Sequence, residues 1–382
     1  MTRKYTKLAP LALCISAAPA LAQQPDTDRI EQLEQQILSL QQQVTSSARD
    51  RVQFNGFFSA GYATSNNDAG LAGIVDEAEI NDLSLMALQG TFSLSDDTQA
   101  IMQLMSRGEE DWDTELEWAY LSHQLTNDLQ VRAGKMRLPF FMYSDSLEVG
   151  YAQPWARPPS VVYSPTITSY VGADASYTYN LTGSSISTQV FGGNSQTNDS
   201  SQDRDIEVRN IAGLTIGWTD YIWSLRALAA TAETNLLANG ASLADNSRTK
   251  FFGVGFGYDD GTWQIISELI RQEVDGVIAD TDAAYLSVGR RIGSITPYAV
   301  VGWTESKDDD ERAGSPLSAL NTHRDEYSLG LRWDVLSGVA VKFDWTHARG
   351  FGDAPGGLDA ASVFADELDS TNVYTVKIDS AF

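Results

Sequence analysis

The chain has 382 residues, with 26 Lys and Arg against 51 Asp and Glu, a formal net charge of −25. Phosphate contacts need a basic surface, so this balance argues against a nucleic-acid partner. No stretch is apolar for long enough to cross a bilayer as a helix, and the acidity reads as a solvated surface or, more sharply, as a pore favouring cations.

Arg3, Lys4 and Lys7 precede an apolar run from Leu8 to Ala18 and then Ala-Leu-Ala at 20–22. This predicts a signal peptide over 1–22, cleaved before Gln23, and therefore an exported protein. Cys14 follows the bulky Leu13 inside the apolar run, which argues against lipidation. Cleavage leaves 23 basic residues against 51 acidic ones, net −28, and no cysteine. Ile30, Leu33, Ile37, Leu40 and Val44 are spaced 3, 4, 3, 4 among Glu and Gln, which predicts a short coiled-coil helix within 23–50. So short a helix is marginal alone, and copies of itself are the expected cover for its stripe.

From Arg51 onward, alternating segments of about ten residues are divided by polar stretches, as in a membrane barrel. Turn chemistry places short turns near 95–97, 126–128, 180–183, 219–220, 259–261, 292–294 and 336–338. Longer loops fall near 63–80, 107–113, 138–167, 195–205, 235–247, 274–281, 306–322 and 350–370. Fifteen connections predict an all-β, antiparallel transmembrane barrel of about sixteen strands over 51–382, with both ends on the short-turn side. Tyr327, Leu329, Leu331, Trp333 and Val335 share one parity, as do Val339, Val341, Phe343 and Trp345. Glu326, Arg332, Asp334, Lys342 and Asp344 take the other and should face water inside. Trp218, Tyr221, Trp223, Tyr258, Trp263 and Trp333 flank the short turns as an aromatic girdle would.

The final stretch, Asn372 to Phe382, puts Tyr374, Val376, Ile378 and Phe382 on one face and Thr375, Lys377 and Asp379 on the other. An amphipathic strand ending on Phe, behind a secretory signal, resembles the Gram-negative outer-membrane porins. Ser380 departs from the hydrophobic residue common there. The resemblance implies an outer-membrane location among lipid, a homotrimer, a periplasmic N-terminal helix, and delivery by the barrel-assembly machinery through a signal that includes Phe382.

Loop 138–167 is rich in aromatics and Pro, a composition that must pack on something. In the porins this chain resembles, the loop after the fifth strand folds into the channel, its acids facing basic wall residues. The resemblance makes Asp145 and Glu148 the constriction acids, with Arg157 pairing locally. Candidate wall partners are Arg132, Arg209, Arg226, Arg332 and Lys342, although any of them could instead balance a neighbouring wall acid.

An outer-membrane enzyme is the competing class. Only His123, His323 and His347 occur, with no Gly-x-Ser-x-Gly elbow and no His-Glu-x-x-His pair, so neither catalytic residues nor a cofactor are assigned. Asp308-Asp309-Asp310-Glu311 lacks the spaced ligands and central Gly of a calcium loop, and no metal site is assigned. The expectation is passive diffusion of small hydrophilic solutes and ions with modest cation preference. A substrate-selective channel, with Tyr143, Tyr151 and Trp155 as an aromatic track, is the alternative.

Overall fold

In the computed structural model, residues 51–382 are described except for 79, 165–166, 200–203, 239, 315–316, 319–320, 352–357 and 359–367. The signal peptide and the seam at Ile30, Leu33, Ile37, Leu40 and Val44 lie outside the described residues.

Sixteen strands follow in order: β1 Val52–Ser65, β2 Leu85–Ser93, β3 Thr98–Arg107, β4 Thr114–Gln124, β5 Leu129–Arg137, β6 Ser169–Leu181, β7 Ser184–Asp199 and β8 Arg204–Thr219. They continue as β9 Trp223–Ala238, β10 Ala241–Asp259, β11 Trp263–Val274, β12 Thr281–Arg290, β13 Ile295–Ser306, β14 His323–Leu336, β15 Val339–Arg349 and β16 Ser370–Ala381. Each pairs antiparallel with its sequence neighbours, and β1 closes on β16 from Phe57–Ala381 to Ser65–Val373. A barrel that closes leaves no edge, which lipid requires, because unpaired N–H and C=O groups there find no water.

The period-2 pattern decides which face meets lipid. Leu329, Trp333, Phe343, Trp345, Tyr374, Val376 and Ile378 are exposed outside, while Glu326, Lys342, Asp344, Lys377 and Asp379 are buried inside. The expected girdle sits at the short-turn end, where Trp223 packs 4.5 Å from Tyr258 and Arg290 lies 5.2 Å over Trp263.

Two expected loops are instead mainly wall. Segments 195–205 and 235–247 lie largely in β7–β8 and β9–β10, and only two residues separate β9 from β10. Their polar residues mimic a loop because this part of the wall rises beyond the apolar band. The 19 residues of β10, at about 3.3 Å each and a tilt of about 40°, climb about 48 Å, against an apolar band of about 25 Å.

Candidate functional site: the loop across the lumen

The connection after β5 runs over 138–168 and crosses the barrel interior, where its apolar side chains make the main core. Phe141, Trp155, Val161 and Tyr163 pack with Tyr170, Phe191, Phe251 and Tyr285 of the wall. The aromatic and Pro content seen in the sequence is therefore spent on wall contacts.

Polar contacts fix the loop around much of the circumference. On one side, Glu148 accepts from Arg107 Nε and Nη2, both at 3.1 Å, and from Arg137 Nη2 at 3.1 Å. Glu117 accepts from the same two guanidiniums at 2.7 and 2.6 Å. Two cations and two anions, three of them nearly buried, satisfy one another. Glu117 can join because β4 bulges there: Trp118 pairs Gln103, Leu116 pairs Leu104, and Glu117 is left over, aimed inward. Glu148 sits on the loop, where burial pushes its carboxyl up and the two arginines more than offset it, leaving it below its ordinary value.

Further round the wall, on β15, Lys342 Nζ donates to Gly150 O at 2.6 Å and Trp155 O at 2.8 Å. It also stands 2.8 Å from Asp379 Oδ2 and forms a buried ion pair with it. Asp379 takes a hydrogen bond from Ser59 at 2.6 Å. Here the chain can approach because residue 150 is Gly: a Cβ would fall 2.0 Å from Asp379 Oδ1. Arg332 donates to Tyr151 O and Gln153 O at 2.7 and 2.8 Å and lies 4.8 Å over the Tyr151 ring. Tyr298 OH receives Ala156 N and donates to Asp344 at 2.7 Å. Its ring lies across Gly330, where a Cβ would come within 2.0 Å of it. Ser160 donates to Glu326 at 2.7 Å, and Glu268 collects Met142 N and the hydroxyls of Tyr163 and Tyr285. Arg226 donates to Pro139 O and Phe140 O.

A closed, outward-apolar barrel with a loop folded into its bore is the architecture of a diffusion channel. A family model described as Gram-negative porin matches residues 9–375. The chain belongs to that family. No curated protein sequence matches. Among solved structures of similar fold, Salmonella typhi OmpF in complex with daunomycin is 10% identical at a TM-score of 0.61, covering 87% of this chain and 97% of that one. The anion-selective porin from Comamonas acidovorans is 15% identical, TM-score 0.58, with coverage of 87% and 99%. OmpT of Vibrio cholerae in its trimer form is 12% identical, TM-score 0.57, with the same coverage.

Within this porin the residues singled out from sequence separate. Arg226, Arg332 and Lys342 do meet the loop, through its backbone carbonyls and not its acids. Glu148 is held by Arg107 and Arg137, which the parity argument did not select. Asp145 is exposed, makes no ion pair among the described residues, and lies within electrostatic reach of Arg132 and Arg226. Arg132 is bound bidentately by Asp174 beside it on the wall. Arg157 stays on the loop, within reach of Asp344 and Glu326. Arg209 is placed away from the loop: it is exposed and pairs with Glu207, while the alternate residues Ile206 and Val208 are buried inside. A register break between Arg209 and Ala212 shifts the alternation, so parity counted from the membrane segment of β8 misassigns it.

Of the expected aromatic track, Tyr143 and Tyr151 are half-buried, and only Trp155 is withdrawn. Trp155 is 1% exposed and donates Nε1–H to Ser287, so it cannot greet a passing solute. The histidines lie apart, His123 bonded to Thr98 and His347 to Asn372, with His323 at the far end of β14. Arg312 pairs with Asp308 and Asp309, so the acidic run is partly neutralised by its own neighbour.

Proposed function

We propose that this porin forms a water-filled outer-membrane channel through which small hydrophilic solutes and ions pass down their gradients. The supporting observation is loop 138–168, pinned by wall cations to its own carbonyls so that it narrows the bore while leaving Asp145 exposed. Asp145, not Glu148, then sets ion preference, because Glu148 already shares two arginines with Glu117. On this reading the channel is modestly cation-selective. The fold leaves the sign open, since a similar barrel is an anion-selective porin.

The reading includes a homotrimer, as in the trimer form of the Vibrio cholerae protein, with residues 23–50 as a periplasmic coiled coil after cleavage of 1–22. It includes surrounding outer-membrane lipid, insertion by the barrel-assembly machinery through the Phe382 strand, and no enzymatic activity. Planar-bilayer recording tests it: stepwise conductance increments with a shallow positive cation preference in a KCl gradient are expected. Inserted protein that carries no current would overturn it.

A further inference from the structure

The wall is closed all round, but at one boundary its ladder covers only part of the height. Between β4 and β5 there are six register pairs, ending at Ala119–Lys135. On their other sides both strands run further outward, β4 to Thr114 against β3 and β5 to Arg137 against β6, with nine pairs each. Thr114 to Trp118 therefore have no ladder partner toward β5. Two neighbouring positions build in the divergence. Glu117 is the extra residue of the β4 bulge, which bends its strand. Gly134, opposite Tyr120, has φ +141°, and a Cβ there would fall 2.3 Å from Ala119 O. The strands part just beyond this approach.

Lipid cannot satisfy such an edge. At about 3.3 Å per residue and a tilt of about 40°, Ala119 stands about 13 Å above Gln124 and Thr114 about 25 Å, so the gap falls in the outer half of the apolar band. Side chains close it instead. Lys135, on the face opposite the buried Met136, reaches from β5 to β4 and donates to Leu116 O at 2.7 Å. On the inner side, Arg137 donates to one oxygen of Glu117 at 2.6 Å across the same gap, and Arg107, at the end of β3, to the other at 2.7 Å. Glu148 of the loop then joins the two arginines to each other, at 3.1 Å from each. Glu110 also reaches Arg107, at 3.3 Å. Arg137, with its side chain 5% exposed, pairs among the described residues only with Glu117 and Glu148, so losing Glu148 leaves a buried cation half compensated.

We propose that the outer half of the β4–β5 boundary is a seam keyed by the loop: Glu148 holds it shut, and release of residues 144–150 from the wall opens it while the ladder from Ala119 to Gln124 stays paired. Loop and seam move as one unit, and lumen water reaches the freed edge from inside. The bore then cannot widen by shedding its constriction without the wall loosening beside it. This goes beyond the channel reading, and its test needs no current.

Amide exchange of the full-length protein in lipid nanodiscs, read by mass spectrometry on peptides spanning 114–118, 119–124 and 144–150, tests the coupling. Glu148→Gln should speed exchange at least about tenfold in 114–118 and 144–150 alike, and leave 119–124 within about twofold of the unsubstituted protein. Lys342→Met, which loosens the loop from β15 and touches neither these arginines nor these glutamates, should speed the same two segments by equal factors. The unsubstituted protein answers without a variant: in rising sub-denaturing urea, 114–118 and 144–150 should open together, with one slope, before 119–124. Loop exchange that quickens in Lys342→Met while 114–118 keeps its rate, or 119–124 opening in step with 114–118, would overturn the seam. Coupled opening in a protein that carries no current refutes the channel alone, and current with uncoupled opening refutes the seam alone.

Discussion

Replacing Lys342 with Met keeps the side chain's length and removes its charge and donors. The change strips one hydrogen bond each from Gly150 O and Trp155 O and leaves Asp379, fully buried, without its nearest cation. Breaking one side of a buried pair costs ~3–5 kcal/mol. The lower end applies here, because Lys377 Nζ still stands 3.5 Å from Asp379 and Ser59 still donates to it. About 3 kcal/mol is roughly a hundredfold in the ratio of docked to released loop. Amide exchange in inserted protein reads that ratio directly, since Val149, Ala152 and Gln153 donate within the loop and are protected only while it is folded on the wall. Protection there should fall about a hundredfold while strands β11–β13 keep theirs. Adding Asp379→Asn to Lys342→Met should restore more than half of it, because the unpaired charge is gone. A fall of less than about fivefold, or no recovery in the double variant, would refute the view that this buried lysine holds the loop.

Asp145→Asn should lower cation preference measurably in a KCl gradient, and Glu148→Gln should change it less, because its charge is already shared with two arginines. Neutralising Asp308 to Asp310 should matter less again, and only in dilute salt, since outer charges are screened beyond about 8 Å at physiological ionic strength. Phe382→Ser should slow insertion much more than it alters conductance once inserted; unchanged insertion yield would count against an assembly role. Deletion of 23–50 should leave a conducting barrel with a less heat-stable oligomer on electrophoresis. Asp308, on an outer loop, is held below its ordinary value chiefly by its hydrogen bond to Arg312. Its contribution to loop order is therefore complete above about pH 4 and lost as pH falls through the lowered value, so exchange at Glu311 and Ala313 should quicken only on acidification.

What was legible from sequence is what a single strand records about itself. The faces of β14, β15 and β16 follow from Tyr327, Phe343 and Tyr374 alternating with Glu326, Lys342 and Thr375, because lipid enforces period 2 on every spanning residue. The alternation of short and long connections yielded sixteen strands for the same reason. Bulges erase that record: one extra residue at Glu117 turned an inward acid out of phase, and a second break misplaced Arg209. Arg107 and Arg137 were missed because they are the last residues of their strands, where parity has no further residue to confirm it. Which backbone carbonyl a lysine seeks leaves no trace in residue type at all, so Arg332 and Lys342 could be assigned to the interior but not to their partners. The inward burial of Ile206, Val208 and Ala230 escaped because they lie where the wall has outgrown the membrane and inside and outside no longer contrast in sequence.

The contact between Gly150 and Asp379 also orders events in time. Asp379 belongs to the last strand, Ser59 to the first and Lys342 to the fifteenth, and the loop settles into a seat that these three complete together. Until the two ends of the chain meet, 320 residues apart along the sequence, that seat does not exist. A half-zipped barrel therefore lacks this one seat for the loop as well as a closed seam, while Arg107, Arg137, Arg226 and Arg332 still hold the loop elsewhere. The seam thus carries more than strand pairing: the residues that close the cylinder also finish the seat of Gly150 on the wall.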